Sequence, residues 1–237
     1  MNGYNRTKSR EFKAEVAEIQ AKHCHRNVRL IWGFFGHQGL DFIALKAAGK
    51  TTPKTQVISM EEKYGVHCRQ KRIIPRMMGI SADNVHAWIG HYSKWGIMGC
   101  DCLLADGCWM PTQSLAQWLS SSLYRGLTYG GNFVINFMTT FRFPFASGFY
   151  ARTMGVVRSP SLSDFMSSGF LNVPETDSQH NSIKMIQHFI AAVVPYQLTP
   201  RTAYVYRDGA KGNIMLSSQF KVGKPKPIHP RVLQAIA

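Results

Sequence analysis

Val28-Arg-Leu-Ile-Trp-Gly-Phe-Phe34 is a short apolar run that breaks into Gly36-His-Gln-Gly39 and resumes as a helix-like stretch from Leu40 to Ala48, closed by Gly49. That succession predicts a strand, a glycine-rich turn and a helix. Upstream, Phe12, Val16 and Ile19 recur at spacings of four and three. Glu11, Glu15 and Glu18 come early and Lys22 late, so an amphipathic helix with charges suited to its dipole precedes the first strand. Downstream the alternation repeats. Gln56-Val-Ile-Ser-Met60 runs into Glu61-Glu62 and a polar, basic helix to about Arg72, and Asn84-Val-His-Ala-Trp-Ile89 follows. Cys100-Asp-Cys-Leu-Leu-Ala105 ends in Asp106-Gly107, a helical stretch runs from Gln113 to Tyr124, and Gly130-Gly131 leads into Asn132-Phe-Val-Ile-Asn-Phe-Met138. Five strands separated by helix-length segments predict an α/β fold: a parallel sheet covered on both faces.

The last third departs from this rhythm. Residues 139–175 are rich in Phe, Ser, Gly and Arg without a period, and read as a loop or lid with short helices. Ser182 to Val194 reads as a helix that stops before Pro195. Thr202–Tyr206 and Ile214–Val222 flank Arg207-Asp-Gly-Ala-Lys-Gly-Asn213, the pattern of a terminal antiparallel hairpin. Gly223-Lys-Pro-Lys-Pro-Ile-His-Pro230 reads as a basic extended tail. The division expected is a basic helical extension over 1–27, one α/β domain over 28–222 and a Pro-rich tail over 223–237.

Lys plus Arg number 28 against 13 Asp plus Glu, a net charge of +15. Residues 1–80 hold 15 basic and 6 acidic side chains, residues 81–174 hold 5 and 4, and residues 175–237 hold 8 and 3. The excess sits at the two ends, around a nearly neutral core. Such a surface suits a polyanion, RNA or DNA. With 45% hydrophobic residues and 17% charged ones, the chain has the composition of a folded domain rather than a disordered one. Five cysteines in a chain this long point to a reducing compartment. No apolar run approaches the roughly 18 to 20 residues of a spanning helix, and the first residues lack a secretory pattern. The expectation is a cytoplasmic protein with no membrane partner.

In a doubly wound sheet, ligands bind beyond the carboxyl ends of the strands, near the point where strand order reverses. Those ends carry Gly33, Phe34, Gly36, His37 and Gly39 after the first strand, and Glu61 after the second. Ile89, Gly90 and His91 follow the third, and Asp106-Gly107 the fourth. Glycines let the backbone approach a ligand, a carboxylate after strand two can accept both hydroxyls of a ribose, and the third loop can clasp an adenine edge. A nucleoside ligand needs each of these.

This layout resembles the class I S-adenosylmethionine-dependent methyltransferases, a Rossmann-like fold of βα units closed by a helix and an antiparallel strand pair, here Val28 to Val222. The residues that carry it are Val57-Ile-Ser-Met-Glu61, Asp101-Cys-Leu-Leu-Ala-Asp106 and Leu127-Thr-Tyr-Gly-Gly-Asn-Phe-Val-Ile135. The family's first loop has an acidic residue and alternating glycines; Gly33-Phe-Phe-Gly-His-Gln-Gly39 has no acid and spaces its glycines by three. Within that superfamily the chain looks most like viral RNA cap and ribose 2′-O methyltransferases, which use a Lys-Asp-Lys-Glu tetrad. The resemblance implies S-adenosylmethionine as cofactor, held at Gly33 to Gly39, Glu61, Ile89 to His91 and Asp106, with RNA as partner and cap guanine N7 or ribose 2′-O as acceptor. Asp106 matches the tetrad's aspartate, and Lys13, on the first helix, is a candidate for its first lysine. Asn136 stands where the second lysine belongs and Thr202 near the glutamate. An amide cannot act as the base.

Three readings follow from that departure: a ribose methyltransferase whose lysine comes from elsewhere, an enzyme acting on a nitrogen that needs little base assistance, or an inactive relative kept for RNA binding. Asp106-Gly-Cys-Trp109 also retains the acid and the aromatic of the Asp-Pro-Pro-aromatic motif of amino-methylating enzymes. A nicotinamide-dependent oxidoreductase is disfavoured by the absent G-x-G-x-x-G and the terminal hairpin. His23-Cys24-His25 with Cys100, Cys102 and Cys108 lacks a paired metal-ligand spacing, so no metal is expected. Phe133 and Phe137 read as core; Phe141, Phe143, Phe145 and Phe149, near Arg142 and Arg152, read equally as core or as stacking platforms for bases. Arg69, Lys71, Arg72 and Arg76 form a basic run that lies in solvent or receives phosphate.

Overall fold

The computed structural model describes residues 6–25, 27–34, 39–92, 96–109, 112–124, 126–138, 186, 189–207 and 214–237. Helix α1 (Arg6–His23) leads into β1 (Leu30–Phe34), α2 (Leu40–Ala47), β2 (Gln56–Glu61) and α3 (Tyr64–Met78). A 3-10 turn (Ala82–Asn84) precedes β3 (Val85–Ile89), and β4 (Cys100–Trp109), α4 (Gln113–Ser122) and β5 (Leu127–Met138) follow. Residues 189–193 are helical, and the chain closes with β6 (Tyr196–Arg207), β7 (Ile214–Pro225) and α5 (Pro230–Ile236).

The seven strands form one sheet in the order β3-β2-β1-β4-β5-β7-β6. The first five are parallel, and β7 runs against both β5 and β6. The order reverses between β1 and β4, so a crevice opens there at the strand carboxyl ends. The central strands hold continuous apolar stretches, Leu103 to Ala105 in β4 and Phe133 to Ile135 in β5, because both faces are covered. Neighbouring residues of β4 go to opposite layers: Cys102 and Leu104 join Ala17, Ala21, Phe42, Leu45 and Ile74 under α1, α2 and α3. Leu103 and Ala105 join Leu115, Trp118, Phe189, Val193, Val232 and Ile236 under α4, the 189–193 helix and α5.

Four expectations change. The helix expected as a separate extension over 1–27 is a cover of the sheet: Val16, Ala17, Gln20, Ala21 and Cys24 are buried. Gln20 donates to Ser217 Oγ at 2.7 Å, and Gln219 donates to the Gln20 carbonyl at 2.8 Å and to Asn132 Oδ1 at 2.7 Å. Second, the boundary drawn at 222/223 falls inside β7. Third, the tail expected to be extended ends in α5. Pro230 occupies the helix's first turn, where its missing N–H is no loss, His229 caps the Arg231 amide, and Val232 and Ile236 are buried four residues apart. Fourth, both hairpin strands are longer than their apolar runs, because main-chain pairing continues through Pro200, with a register shift, and out to Pro225. The reading of 139–175 as a loop or lid lies outside the described residues, as do six of the thirteen residues of Ser182–Val194 and the hairpin tip. Among the described residues no helix is long and apolar enough to cross a membrane.

Candidate active site at the carboxyl ends of the central strands

Gly33 lies inside β1, paired with Ser59 of β2 and Leu104 of β4, and Phe34 ends the strand. Gly36 and His37 lie outside the described residues. Gly39 begins α2 in the left-handed region (φ 61°), with no side-chain cap on the helix. A Cβ there would stand 3.1 Å from the flexible end of Met77, so it is the conformation that calls for glycine.

Glu61 ends β2 opposite Ile89, the last residue of β3. Its Oε1 accepts from the amides of Glu62 at 3.0 Å and Lys63 at 3.1 Å, which fixes the carboxylate at the strand end. The Gly90 amide donates to the Glu61 carbonyl at 3.0 Å, and φ 144° at Gly90 turns the chain away from the sheet. Two of the predicted ligand positions are thereby tied together. Ile89 is 43% exposed, and His91 reaches the Glu62 carboxylate at 3.6 Å.

Aromatic rings close this end in a way the sequence reading missed. Tyr92 meets Trp118 at 5.4 Å and Phe34 at 6.5 Å between ring centroids, Phe34 meets Trp118 at 5.9 Å, and His91 lies 4.2 Å from Tyr92. The three edge-to-face pairs bring together the ends of β1, the loop after β3 and α4. The available signal was an aromatic next to His91 and a Trp three residues after Leu115 in a helical stretch.

At the far side of the crevice, Asn136 Nδ2 donates to Asp106 Oδ1 at 2.7 Å. Asp106 and Gly107, expected to follow the fourth strand, lie within β4, which runs on to Trp109 past a register shift after Ala105, and the bond ties Asp106 to β5 two residues before that strand ends. A carboxylate only accepts, so the amide must turn its NH2 toward Asp106, and its own Oδ1 is buried with no partner among the described residues. Lys13 lies in α1, seven residues or about 10 Å before Gln20; its side chain is outside the described residues. Thr202 is not part of this group. It is buried in β6 and donates to Gln219 Oε1 at 3.0 Å, within the polar layer under α1.

Cys24, Cys100 and Cys102 are core side chains. The Cys24 and Cys102 sulfurs lie 3.8 Å apart, and burial pushes the Cys100 thiol far above its usual range, so it stays protonated at neutral pH. Among the described residues no three His, Cys, Asp or Glu side chains are grouped to hold a metal.

A mostly parallel seven-stranded sheet in this order, with its hairpin at one edge, is the Rossmann-like methyltransferase fold. No protein-family model matches the chain and no curated protein sequence does. Solved structures do match. The chain is similar to a Clostridium thermocellum protein assigned as an rRNA methylase, at 9% identity over 89% of this chain and 96% of that one, with a TM-score of 0.51. It is similar to the N-methyltransferase NodS from Bradyrhizobium japonicum, at 8% identity over 92% and 98%, with a TM-score of 0.53. Against the M. jannaschii tRNA m1G37 methyltransferase the identity is 10%, the coverage 89% of this chain and 49% of that one, and the TM-score 0.50. Identities this low carry the fold alone.

Proposed function

We propose that this protein transfers a methyl group from S-adenosylmethionine to RNA in the cytoplasm, on the guanine N7 or a ribose 2′-O of a viral mRNA cap. The observation that carries the reading is the Asp106–Asn136 pair at the ends of β4 and β5, across the crevice from Glu61. The site fits the cofactor: Glu61 is held by two backbone amides through one oxygen, which leaves its other oxygen for ribose hydroxyls. Ile89 to His91 and Tyr92 would face the adenine, and the β1–α2 loop the remainder. When bound, the cofactor supplies an electrophilic methyl group on a sulfonium centre.

The chain's own residues then decide which atom is methylated. A ribose hydroxyl must give up its proton; Asn136 cannot take it, Asp106 can accept it, and Lys13 is the outside candidate. Guanine N7 loses no proton and needs only alignment. The same Asn136 favours a second reading, an inactive methyltransferase-like module that binds RNA.

Calorimetric titration with S-adenosylmethionine and S-adenosylhomocysteine tests the proposal. Saturable binding, weakened about tenfold or more by Glu61→Ala, is expected; two hydrogen bonds from a charged acceptor are worth that much. Labelled methyl transfer to capped and uncapped RNA, followed by nucleoside digestion, then names the atom. A folded protein that binds RNA and no cofactor at millimolar concentration overturns the enzyme reading and leaves the module.

A further inference from the structure

We infer that the outward row of α3, Arg69, Arg72 and Arg76, continued by Lys46 of α2, is the track on which the phosphate backbone of single-stranded RNA docks. The inference rests on the proposed RNA substrate and goes beyond it, to where that substrate lies. His67, Gln70, Ile74 and Met78 are the buried residues of α3. At 100° per residue their direction is opposite that of 69, 72 and 76, which are all exposed. The spacing of three and four puts the three guanidiniums in one line.

Sequence spacing shows three cations; packing adds the fourth. Lys46 Nζ lies 3.2 Å from where a Cβ would stand on Gly79, the residue that ends α3 on the same row. Four cations thus lie along ten residue steps, about 15 Å of helix, one every 4 to 6 Å or so. A repeating charge of that kind fits a partner whose own charge is linear.

Among the described residues the row has no carboxylate partner. Helix α3, Tyr64–Met78, contains no acidic residue. The carboxylates on elements packed against it are Asp41, Glu61 and Asp83; Glu61 is engaged by the Glu62 and Lys63 amides, and Asp83 with Ser81. The ion pairs Arg29–Asp101 and His91–Glu62 both lie off this row. Three of the four cations are arginines, whose planar fork takes a phosphate through two hydrogen bonds. On the first turn of α3, nearest the crevice and off the row, Tyr64 is 71% exposed with its ring stacked on His67 at 6.2 Å.

The test is fluorescence anisotropy with a labelled single-stranded RNA of mixed sequence, over a series of KCl concentrations. It compares the wild-type chain, the triple variant Arg69→Ala/Arg72→Ala/Arg76→Ala, and a control that removes three exposed lysines elsewhere, Lys54→Ala/Lys221→Ala/Lys224→Ala. The row variant is expected to bind about tenfold or more weakly at low salt, with the slope of log affinity against log salt shallower by about 2, the loss of three phosphate contacts on a single strand. Its thermal unfolding should be unchanged, since nothing buried is altered. Wild-type binding with an unchanged slope in the row variant overturns the track and leaves the RNA reading standing. An equal loss in the control also overturns it, because the charge would then act diffusely. Wild-type protein that ignores RNA but binds phosphatidylserine vesicles overturns both.

Discussion

An amide beside a carboxylate has one orientation that attracts and one that repels, so the 2.7 Å contact between Asn136 and Asp106 fixes both side chains. Substituting Asn136→Asp would place a second carboxylate at that distance and remove the donor. Like charges raise the pKa of one member of the pair above its unfolded value. Between the unfolded and the folded pKa the native chain then binds more protons than the unfolded one, so stability falls as pH rises through that window. The variant is expected to be about 1–3 kcal/mol less stable than wild type at pH 8, with the gap narrowing at pH 5, as read by urea unfolding at both. This pair also marks what the sequence made legible. Asp106 and Asn136 were identified from their places at strand ends, and the structure joins them. Thr202 was placed by the same counting, yet the register shift between Pro200 and Thr202 and its bond to Gln219 put it in the layer under α1. Tyr92 and Trp118 went unnoticed because an aromatic in a loop and one in a helix carry no period in common; only folding brings their rings to 5.4 Å.

Among the elements, β1 and β4 meet where the order of the sheet reverses, and one side chain secures that meeting. Asp101, in the second position of β4, turns Oδ2 to the amides of Arg29 at 3.0 Å and Leu30 at 3.2 Å, just where β1 begins. The Arg29 guanidinium reaches the same oxygen at 3.5 Å but is 83% exposed and adds little. Asp101→Ala leaves two strand amides without their acceptor and is expected to cost about 2–4 kcal/mol in chemical unfolding, whereas Asp101→Asn keeps an acceptor and loses less. Strands, helices and their order were readable from apolar runs and glycine breaks, since a two-sided parallel sheet requires continuous apolar strands. Lengths were less so. The hairpin strands each extend through residues whose side chains are polar or proline, because the ladder between β6 and β7 is made by the main chain. The prolines of 225–230 read as breakers, yet Pro230 is a starter, since position within a helix decides which role a proline takes.

Across the whole molecule, the two chain ends clasp opposite faces of the sheet, α1 on one and α5 on the other. A free basic tail and a packed helix make different predictions for removal of residues 230–237. A free tail would take away Arg231 and leave stability untouched. The packed helix takes away Val232 and Ile236, both buried in the layer that holds Leu115 and Trp118. It also removes the Ile236 carbonyl that accepts from Gln117 at 2.5 Å and from Gln113 at 3.4 Å, both on the first turns of α4. Two buried aliphatic side chains are worth about 3–5 kcal/mol together, a large part of the margin of a domain this size. Truncation after His229 is therefore expected to lower the urea midpoint by that equivalent and to speed amide hydrogen exchange in α4 more than in α2 or α3, which lie across the sheet. Because α4 also carries Trp118, which packs edge-on against Phe34 and Tyr92 at the strand ends, loosening it should reach the crevice. Exchange should rise at the end of β1 as well. Equal protection in α4 with and without residues 230–237 would mean that α5 lies on the fold without bracing it.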